Sequence, residues 1–178
     1  MERVIVLGLG NILYGDEGFG VRLAQRLYAG WNFPPGVRVV DGGTQGQTLL
    51  TFVEEADRLL VLDAVDFGLA PGELMLREGV PAHITARKLG PHQNSFSEVM
   101  GYAALRGTQP QCCALLGVQP AAMTLGAPFS PQVARCFEAA AHAALDLLRR
   151  WGVKADARAK IRHLSAPALN ALGQCPEP

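Results

Sequence analysis

The residues best suited to chemistry are four carboxylates that follow apolar runs and one histidine in a proline-containing stretch. They are Asp16, Glu17, Asp41, Asp63 and His92. Two carboxylates and an imidazole make three protein ligands with room for water or substrate, which is the open arrangement of a metal-assisted hydrolase rather than a closed structural site. Such donors suit nickel, zinc, manganese or iron, so the residue types predict a metal site without choosing the metal.

Apolar runs of strand length precede the carboxylates. These runs are residues 4–7, 37–40 and 58–63. Strands and helices that alternate with short turns predict an α/β fold, a three-layer αβα sandwich around a mainly parallel, twisted sheet of about five strands, one of them antiparallel. Parallel strands gather their carboxyl ends at one edge, where ligands bind in such folds. We therefore expect Glu17, Asp41 and Asp63 to share that edge.

The second half of the chain supplies the edge strand and the histidine. The connection before residues 73–77 is too short for a crossover helix, which predicts an antiparallel or edge strand there. Residues 78–94 have no clear periodicity and are predicted to form a surface loop that can bring His92 over the edge. A capping-box spacing at residues 95–98 starts the next helix. The partial positive charge at that helix start disfavours imidazolium and keeps His92 neutral for metal binding.

The remaining elements follow from periodicity and turn residues. Apolar residues recur at helical spacing between Val21 and Tyr28, with polar residues at the intervening positions. A strand is predicted at residues 111–118, and Ser130-Pro131 starts a helix that ends near Arg150. Residues 1–151 are predicted to form one catalytic domain, and the weakly patterned residues 152–178 a loosely ordered tail.

Two other interpretations of the first loop start from the same residues. Gly8 and Gly10 fit a dinucleotide fingerprint, and Asp41 could be a ribose ligand, but Leu13 occupies the third glycine position. The next glycine, Gly15, stands beside two acids, which would repel a pyrophosphate. Alternatively, Asp16 is a helix N-cap and Glu17 lies in the first turn, where the helix dipole favours an acid.

Composition narrows the possible partners and compartment. The 178 residues contain 16 basic and 16 acidic side chains, so no nucleic-acid or anionic-membrane partner is indicated. A secretory signal and a membrane-length apolar run are both absent, which predicts a cytoplasmic protein without membrane insertion. Four cysteines, at 112, 113, 136 and 175, lack zinc-site or thioredoxin spacing and are expected to be packing residues or exposed thiols.

Four motifs in order give the chain a specific resemblance. They are residues 8–20 (GLGNILYGDEGFG), 40–44 (VDGGT), 62–64 (LDA) and 91–93 (PHQ). Together they resemble the hydrogenase maturation endopeptidases, which trim the carboxyl terminus of the large subunit of nickel-iron hydrogenases. The resemblance covers residues 3–151. The stretches VDGGTQG, at 40–46, and PHQNSFSEV, at 91–99, are most similar to the enzymes that serve uptake hydrogenases, whereas residues 123–130 do not align with the family.

The resemblance implies a role for each motif. Glu17, Asp63 and His92 match the residues that bind the metal, which is the nickel already seated in the immature subunit and is not a resident cofactor. If the metal activates water, Asp16 or one of the ligands is the proton acceptor. The family's substrate-recognition loop is matched by Asp41, Gly42, Gly43 and Thr44, which implies that role for them.

Other functions fit part of the sequence. No His-Glu-x-x-His helix or Gly-x-Ser-x-Gly elbow is present. This suits a dedicated processing enzyme, and it equally suits a nickel-checking chaperone that binds the precursor without cutting it. A small nucleotide-binding oxidoreductase is the third class. Taken singly, Asp63 is typical of a turn or cap residue and His92 of an ordinary surface residue.

Overall fold

The structure is a computed structural model that describes residues 2–79 and 95–159. The strands are β1 (Val4–Leu9), β2 (Trp31–Asn32), β3 (Val37–Gly43), β4 (Arg58–Ala64), β5 (Leu74–Gly79), β6 (Cys112–Val118) and β7 (Asp156–Ala157). The α-helices are α1 (Phe19–Gly30), α2 (Leu50–Glu55), α3 (Ser95–Leu105) and α4 (Pro131–Arg150). Two 3-10 turns, Gly15–Gly18 and Gly46–Leu49, lead into α1 and α2.

Five strands form the main sheet in the order β3-β1-β4-β6-β5. The first four are parallel, and β5 is antiparallel to β6. This confirms the predicted mainly parallel sheet and its one antiparallel strand. The chain places β3 on one side of β1 and β4 on the other, so the connections diverge at β1. Such a switch point leaves a crevice at the carboxyl ends of the strands.

Helices cover both faces of the sheet, as predicted for a three-layer sandwich. On one face, Val6 and Leu60 pack with the α1 and α4 side chains, including Leu23 and Leu147. On the other, Ile5, Leu59 and Leu115 pack with α2 and α3. Neighbouring residues of a strand therefore belong to different cores, because side chains alternate across a sheet. All residues of β4 after Arg58 are buried, which confirms a central strand.

Local chemistry defines α4 at both ends. The Ser130 hydroxyl accepts a hydrogen bond from the Val133 N–H at 3.3 Å, and Pro131 occupies the first turn. Arg149 and Arg150 lie in the last turn, where cations interact favourably with the helix dipole. The predicted start and end of this helix are confirmed. None of the helices in the described part of the chain is long and apolar enough to cross a membrane.

Several boundaries differ from the sequence-based expectations. The strand predicted at residues 37–40 continues to Gly43, and Glu78 and Gly79 belong to β5 rather than to the following loop. The chain between Gly152 and residue 159 is ordered rather than loosely ordered as predicted, because β7 pairs with β2 in a short antiparallel ribbon. The Arg158 N–H donates to the Gly30 carbonyl at 2.8 Å. Weak periodicity concealed this ribbon, since it consists of two-residue strands.

The cysteines of the described chain are free thiols. Cys113 is fully buried in the core beneath α2 and α3, and burial, followed by the neighbouring Cys112, raises the pKa of its thiol to about 12. A thiol in that environment stays protonated and packs as a small apolar residue. Cys175 lies outside the described residues.

Candidate functional site

The structure places Asp41 and Asp63 at the same sheet edge but on opposite faces. They lie on β3 and β4, which flank β1, so about 10 Å, or two strand spacings, separates their backbones. Asp41 shares its side of β3 with Val39, in the core under α1 and α4. Asp63 shares its side of β4 with Val61, in the core under α2 and α3. The predicted common edge is therefore present, but strand alternation separates the two carboxylates.

Asp63 is only 2% exposed, although it lies at the end of a strand. Its face of the sheet is the one that α3 covers, and α3 begins three residues after His92. Burial of a carboxylate is costly unless compensating groups surround it. The burial of Asp63 therefore indicates a functional or structural role rather than that of a solvated surface residue.

The turn that carries Glu17 lies against the end of β4 because of Gly20. A Cβ at Gly20 would overlap the carbonyl oxygens of Leu62 and Leu9, so α1 begins in direct backbone contact with the ends of β4 and β1. The 3-10 turn just before α1 also contacts β4. Glu17 is half-buried in that turn, beside the strand that ends at Asp63. Close backbone packing is therefore what brings the Glu17 segment to the Asp63 strand.

Gly10 closes the same loop on itself. Its φ is +121°, and a Cβ there would overlap the carbonyl oxygen of Glu17. The Gly10 N–H donates to the Gly43 carbonyl at 3.0 Å, which ties the end of β1 to the end of β3. The glycines of the loop are thus required by contacts within the chain. This removes the main argument for a pyrophosphate site, which needs glycines that allow a ligand to approach.

Asp16 is not the predicted N-cap. The N-cap position of α1 is Gly18, and no side-chain hydrogen bond caps the helix. The Asp16 carboxylate is fully buried and accepts backbone hydrogen bonds from Ala121 at 2.9 Å, Ala122 at 3.0 Å and Ser130 at 2.7 Å. Its side chain faces the segment after β6, a contact that local sequence does not reveal.

The segment of residues 119–130 is joined to the first loop by further backbone bonds. The Asp16 N–H donates to the Ala122 carbonyl at 3.2 Å, and the Gly126 N–H donates to the Leu13 carbonyl at 2.7 Å. Residues 123–130 therefore border the loop of Asp16 and Glu17. A difference in this segment can change how a substrate meets the site without changing the carboxylates.

The Asp41–Thr44 stretch combines a fixed carboxylate with an exposed end. Asp41 Oδ1 accepts from the Gly43 N–H at 3.1 Å, and Oδ2 accepts from Gln25 Nε2 at 3.2 Å. Gly42 is buried against Leu7 and Leu9 side chains, whereas Thr44 is exposed. The two glycines therefore shape the turn, and Asp41 is oriented from α1.

Gln25 and Gln119 are two residues that sequence reasoning missed. Gln119 Oε1 accepts from the N–H groups of Phe67, at 2.8 Å, and Leu69, at 3.2 Å, while its Nε2 donates to Asp66 Oδ1 at 3.1 Å. It thereby holds the loop that follows Asp63. Gln119 directly follows the end of β6, which is its only sequence signal, whereas Gln25 lies in the middle of α1 and no sequence pattern marks it.

The third predicted metal ligand, His92, lies outside the described residues. Within residues 2–79 and 95–159, no three His, Cys, Asp or Glu side chains come together in a group suited to a metal ion. Glu17 and Asp63 are thus the two predicted ligands whose setting is described. A metal site at this edge requires a further donor from the chain or from a substrate.

Comparisons with known proteins agree with the resemblance. A family model described as hydrogenase maturation protease matches residues 21–147. The hydrogenase expression/formation protein HupD of Rhodobacter capsulatus is 45% identical over 172 residues, or 94% of this chain and 82% of that protein. HoxM of Azotobacter vinelandii is 42% identical over 97% of this chain and 84% of its own length. The hydrogenase maturating endopeptidase HybD from E. coli has a similar structure, with a TM-score of 0.81 and 36% identity over 88% of this chain and 98% of that one.

Proposed function

Because the chain belongs to the hydrogenase maturation protease family, we propose that it is the endopeptidase that removes the carboxyl-terminal extension of a nickel-loaded [NiFe] hydrogenase large-subunit precursor. The observation that carries this proposal is the similarity to HupD along 94% of the chain, which includes the loops at the carboxyl edge of the sheet. We assign it to uptake hydrogenases because of the resemblance of residues 40–46 and 91–99 and the 45% identity to HupD.

The nickel in this proposal belongs to the substrate and is recognised by Glu17, Asp63 and His92. Glu17 is half-buried on a turn that contacts β4, and Asp63 is buried at the end of that strand. Burial reduces the solvent screening of such carboxylates and so strengthens their attraction for a cation. His92, which precedes the first residue of α3 by three positions in the sequence, supplies the nitrogen donor.

Substrate-borne nickel would place the scissile peptide bond beside these ligands. In the proposed hydrolysis a water attacks the scissile carbonyl carbon, the C–N bond breaks, and the water's protons pass to the leaving amine and the solvent. Asp16 is buried and already accepts three backbone hydrogen bonds, so it is a poor proton acceptor here. Of the remaining carboxylates, Glu17 is more exposed than Asp63, and we assign it as the proton acceptor.

Asp16 then has a positioning role, and residues Asp41–Thr44 have a recognition role. Asp16 holds residues 119–130 against the Glu17 turn through its three amide contacts. Thr44 is exposed beside Asp41, whose carboxylate Gln25 orients. A substrate chain at the edge would therefore meet a surface whose polar groups are already in place, which lowers the entropic cost of binding.

The test compares nickel-loaded and nickel-free precursor by intact-mass analysis after incubation with the purified protein. We expect a carboxyl-terminal peptide to be lost from the loaded form alone. Glu17→Gln, Asp63→Asn and His92→Ala should each slow cleavage at least about a hundredfold, because a metal ligand supports several kcal/mol of charge stabilisation. His142→Ala, which changes an exposed histidine on α4, is the matched control and should cut normally.

Other outcomes would revise the proposal in defined ways. If both precursors keep their mass but form a complex, the protein is a nickel-checking chaperone. If the nickel-free precursor is cut equally well, the metal gate is wrong although the protease activity stands. Circular dichroism of each variant shows whether a loss of cleavage is merely a loss of folding.

A further inference from the structure

A groove of about 640 Å³ lies between α1 and α4, and the function of the carboxylates does not account for it. Its volume is within the range of roughly 300–1,000 Å³ that is typical of ligand sites. It is lined by Arg22, Gln25, Arg26, Pro128, Phe129, Ala134 and Phe137. The Phe129 and Phe137 rings are partly exposed, with centroids 5.4 Å apart. The groove therefore offers an apolar aromatic surface with cations along one side.

The two arginines of the groove differ in what they already bind. Arg26 donates two hydrogen bonds to Glu138, at 2.9 and 3.0 Å. Arg22 is exposed, lies over the Phe129 ring at 5.5 Å, and donates one long hydrogen bond of 3.4 Å to the Ile12 carbonyl. Within the described chain Arg22 has no carboxylate partner. Its planar guanidinium therefore still has N–H donors that can bind a carboxylate of another molecule.

The groove is connected to the proposed active site by direct contacts. Gln25, on its wall, donates to Asp41. The Ser130 N–H, next to Phe129, donates to Asp16 at 2.7 Å. Ile12, which Arg22 contacts, lies against the backbone of Gly18, since a Cβ there would be 2.8 Å from the Ile12 Cα. Arg22 therefore borders the loop that carries Glu17.

We propose that this groove binds the carboxyl-terminal segment of the precursor, with an acidic side chain of that segment paired to Arg22 and an apolar side chain against Phe129 and Phe137. The inference rests on the proposed function, because it names the part of the substrate that the site receives. Three features identify this occupant: a guanidinium without a carboxylate partner among the described residues, an apolar aromatic floor, and continuity with the Glu17 loop. Arg22 is a specificity-determining residue in this scheme.

The first test is the effect of Arg22 variants on steady-state cleavage of the nickel-loaded precursor. Arg22→Gln should raise KM roughly five- to tenfold with kcat within about twofold, since the lost contact is a charge-assisted bond formed in both ground and transition states. Arg22→Glu should raise KM further, and Arg22→Lys should restore part of the loss. Arg135→Gln is the matched control: Arg135 is exposed on α4, outside the groove, and has no ion pair among the described residues.

A second test fills the groove without changing charge. Ala134→Leu places a branched side chain in the groove, and Ala139→Leu makes the same change at an exposed position on α4 outside it. Binding of the nickel-free precursor is measured by surface plasmon resonance. Ala134→Leu should weaken binding roughly tenfold, as expected when an apolar contact surface is blocked, and Ala139→Leu should not. A precursor lacking its carboxyl-terminal segment should bind wild type, Arg22→Gln and Ala134→Leu alike.

The acidic partner is found by charge exchange. Each acidic residue of the precursor's carboxyl-terminal segment is replaced by lysine, and one replacement should impair wild type and be rescued by Arg22→Glu. Cleavage by wild type with unchanged KM in every groove variant would overturn the groove proposal and leave the proposed function intact. Groove-dependent binding without any cleavage would instead support the groove proposal and overturn the proposed endopeptidase function. Rescue by no replacement would disprove the pairing with Arg22.

Discussion

Two aspartates at opposite ends of the sheet are held in different ways. At the amino end, Asp57 binds Arg3 through a 3.0 Å contact between the side chains and a 2.7 Å hydrogen bond from the Arg3 N–H. The side-chain hydrogen bond from Arg3, followed by the backbone one, lowers the Asp57 pKa to about 2. At the carboxyl end, Asp16 is buried and held by three backbone amides from residues 105 to 114 positions away.

The difference reflects what each edge does. An arginine pair cancels charge locally and tolerates solvent, and the amino end has further pairs of this kind, Arg58 with Glu2 and Arg38 with Glu55. Backbone amides instead bind a carboxylate without bringing in a full positive charge. At the carboxyl edge these contacts join the loop of Asp16 and Glu17 to residues 121–130. The edge with the proposed chemistry is thus held by backbone amides and by two neutral glutamines, and the other edge by pairs of charged side chains.

The largest expected effect is from Asp16→Ala. Removing this carboxylate leaves three partly buried N–H groups without their acceptor, so the free energy of unfolding should fall by about 2–4 kcal/mol. Urea denaturation followed by circular dichroism measures it. Asp146→Ala, at an exposed α4 position with a surface ion pair, is the control and should change stability by less than about 0.5 kcal/mol. Equal effects of the two would show that the two kinds of carboxylate are not energetically distinct.

A smaller effect is expected from Gly20→Ala. A Cβ there overlaps backbone oxygen atoms of β1 and β4, so α1 must shift, at a cost of about 1–3 kcal/mol. Gly101→Ala, in α3 with nothing within 4 Å of the added Cβ, should instead stabilise by roughly 0.5–1 kcal/mol, since alanine favours a helix. Thermal denaturation of both variants tests this. A neutral Gly20→Ala would mean that close packing does not position the Glu17 turn.

The smallest effect is the pH dependence due to Asp57. Its folded pKa, about 2, is below the ordinary value of 3.8, so its stabilising contribution is complete above 3.8 and is lost as the pH falls towards 2. The difference in stability between wild type and Asp57→Asn should therefore be greatest near neutral pH and close in acid. Urea midpoints across this range measure it. A gap that persists at the lowest pH would show that the Arg3 contact does not depend on the Asp57 charge.

Several features were predictable because their signals are local. The strand runs, the antiparallel β5 and the start and end of α4 follow from apolar runs, connection length and capping residues. The prediction that Asp16 is an N-cap was wrong. An aspartate before a helix is typically an N-cap, but the Asp16 side chain binds a segment that is distant in the sequence. The tail prediction failed up to residue 159 because two-residue strands have no periodicity. The metal-ligand role of His92 stays a prediction.

The sequence by itself determined the strands of the main sheet, the edge on which Glu17, Asp41 and Asp63 lie, and the family, because these depend on runs, turns and motifs within short windows. Only the tertiary structure decided that Asp41 faces Gln25 while Asp63 faces the α3 side, that Asp16 binds residues 121, 122 and 130, and that Arg22 borders a groove. The physical reason is that strand register and helix packing bring together residues far apart in the chain, and no local pattern encodes which polar atoms then meet.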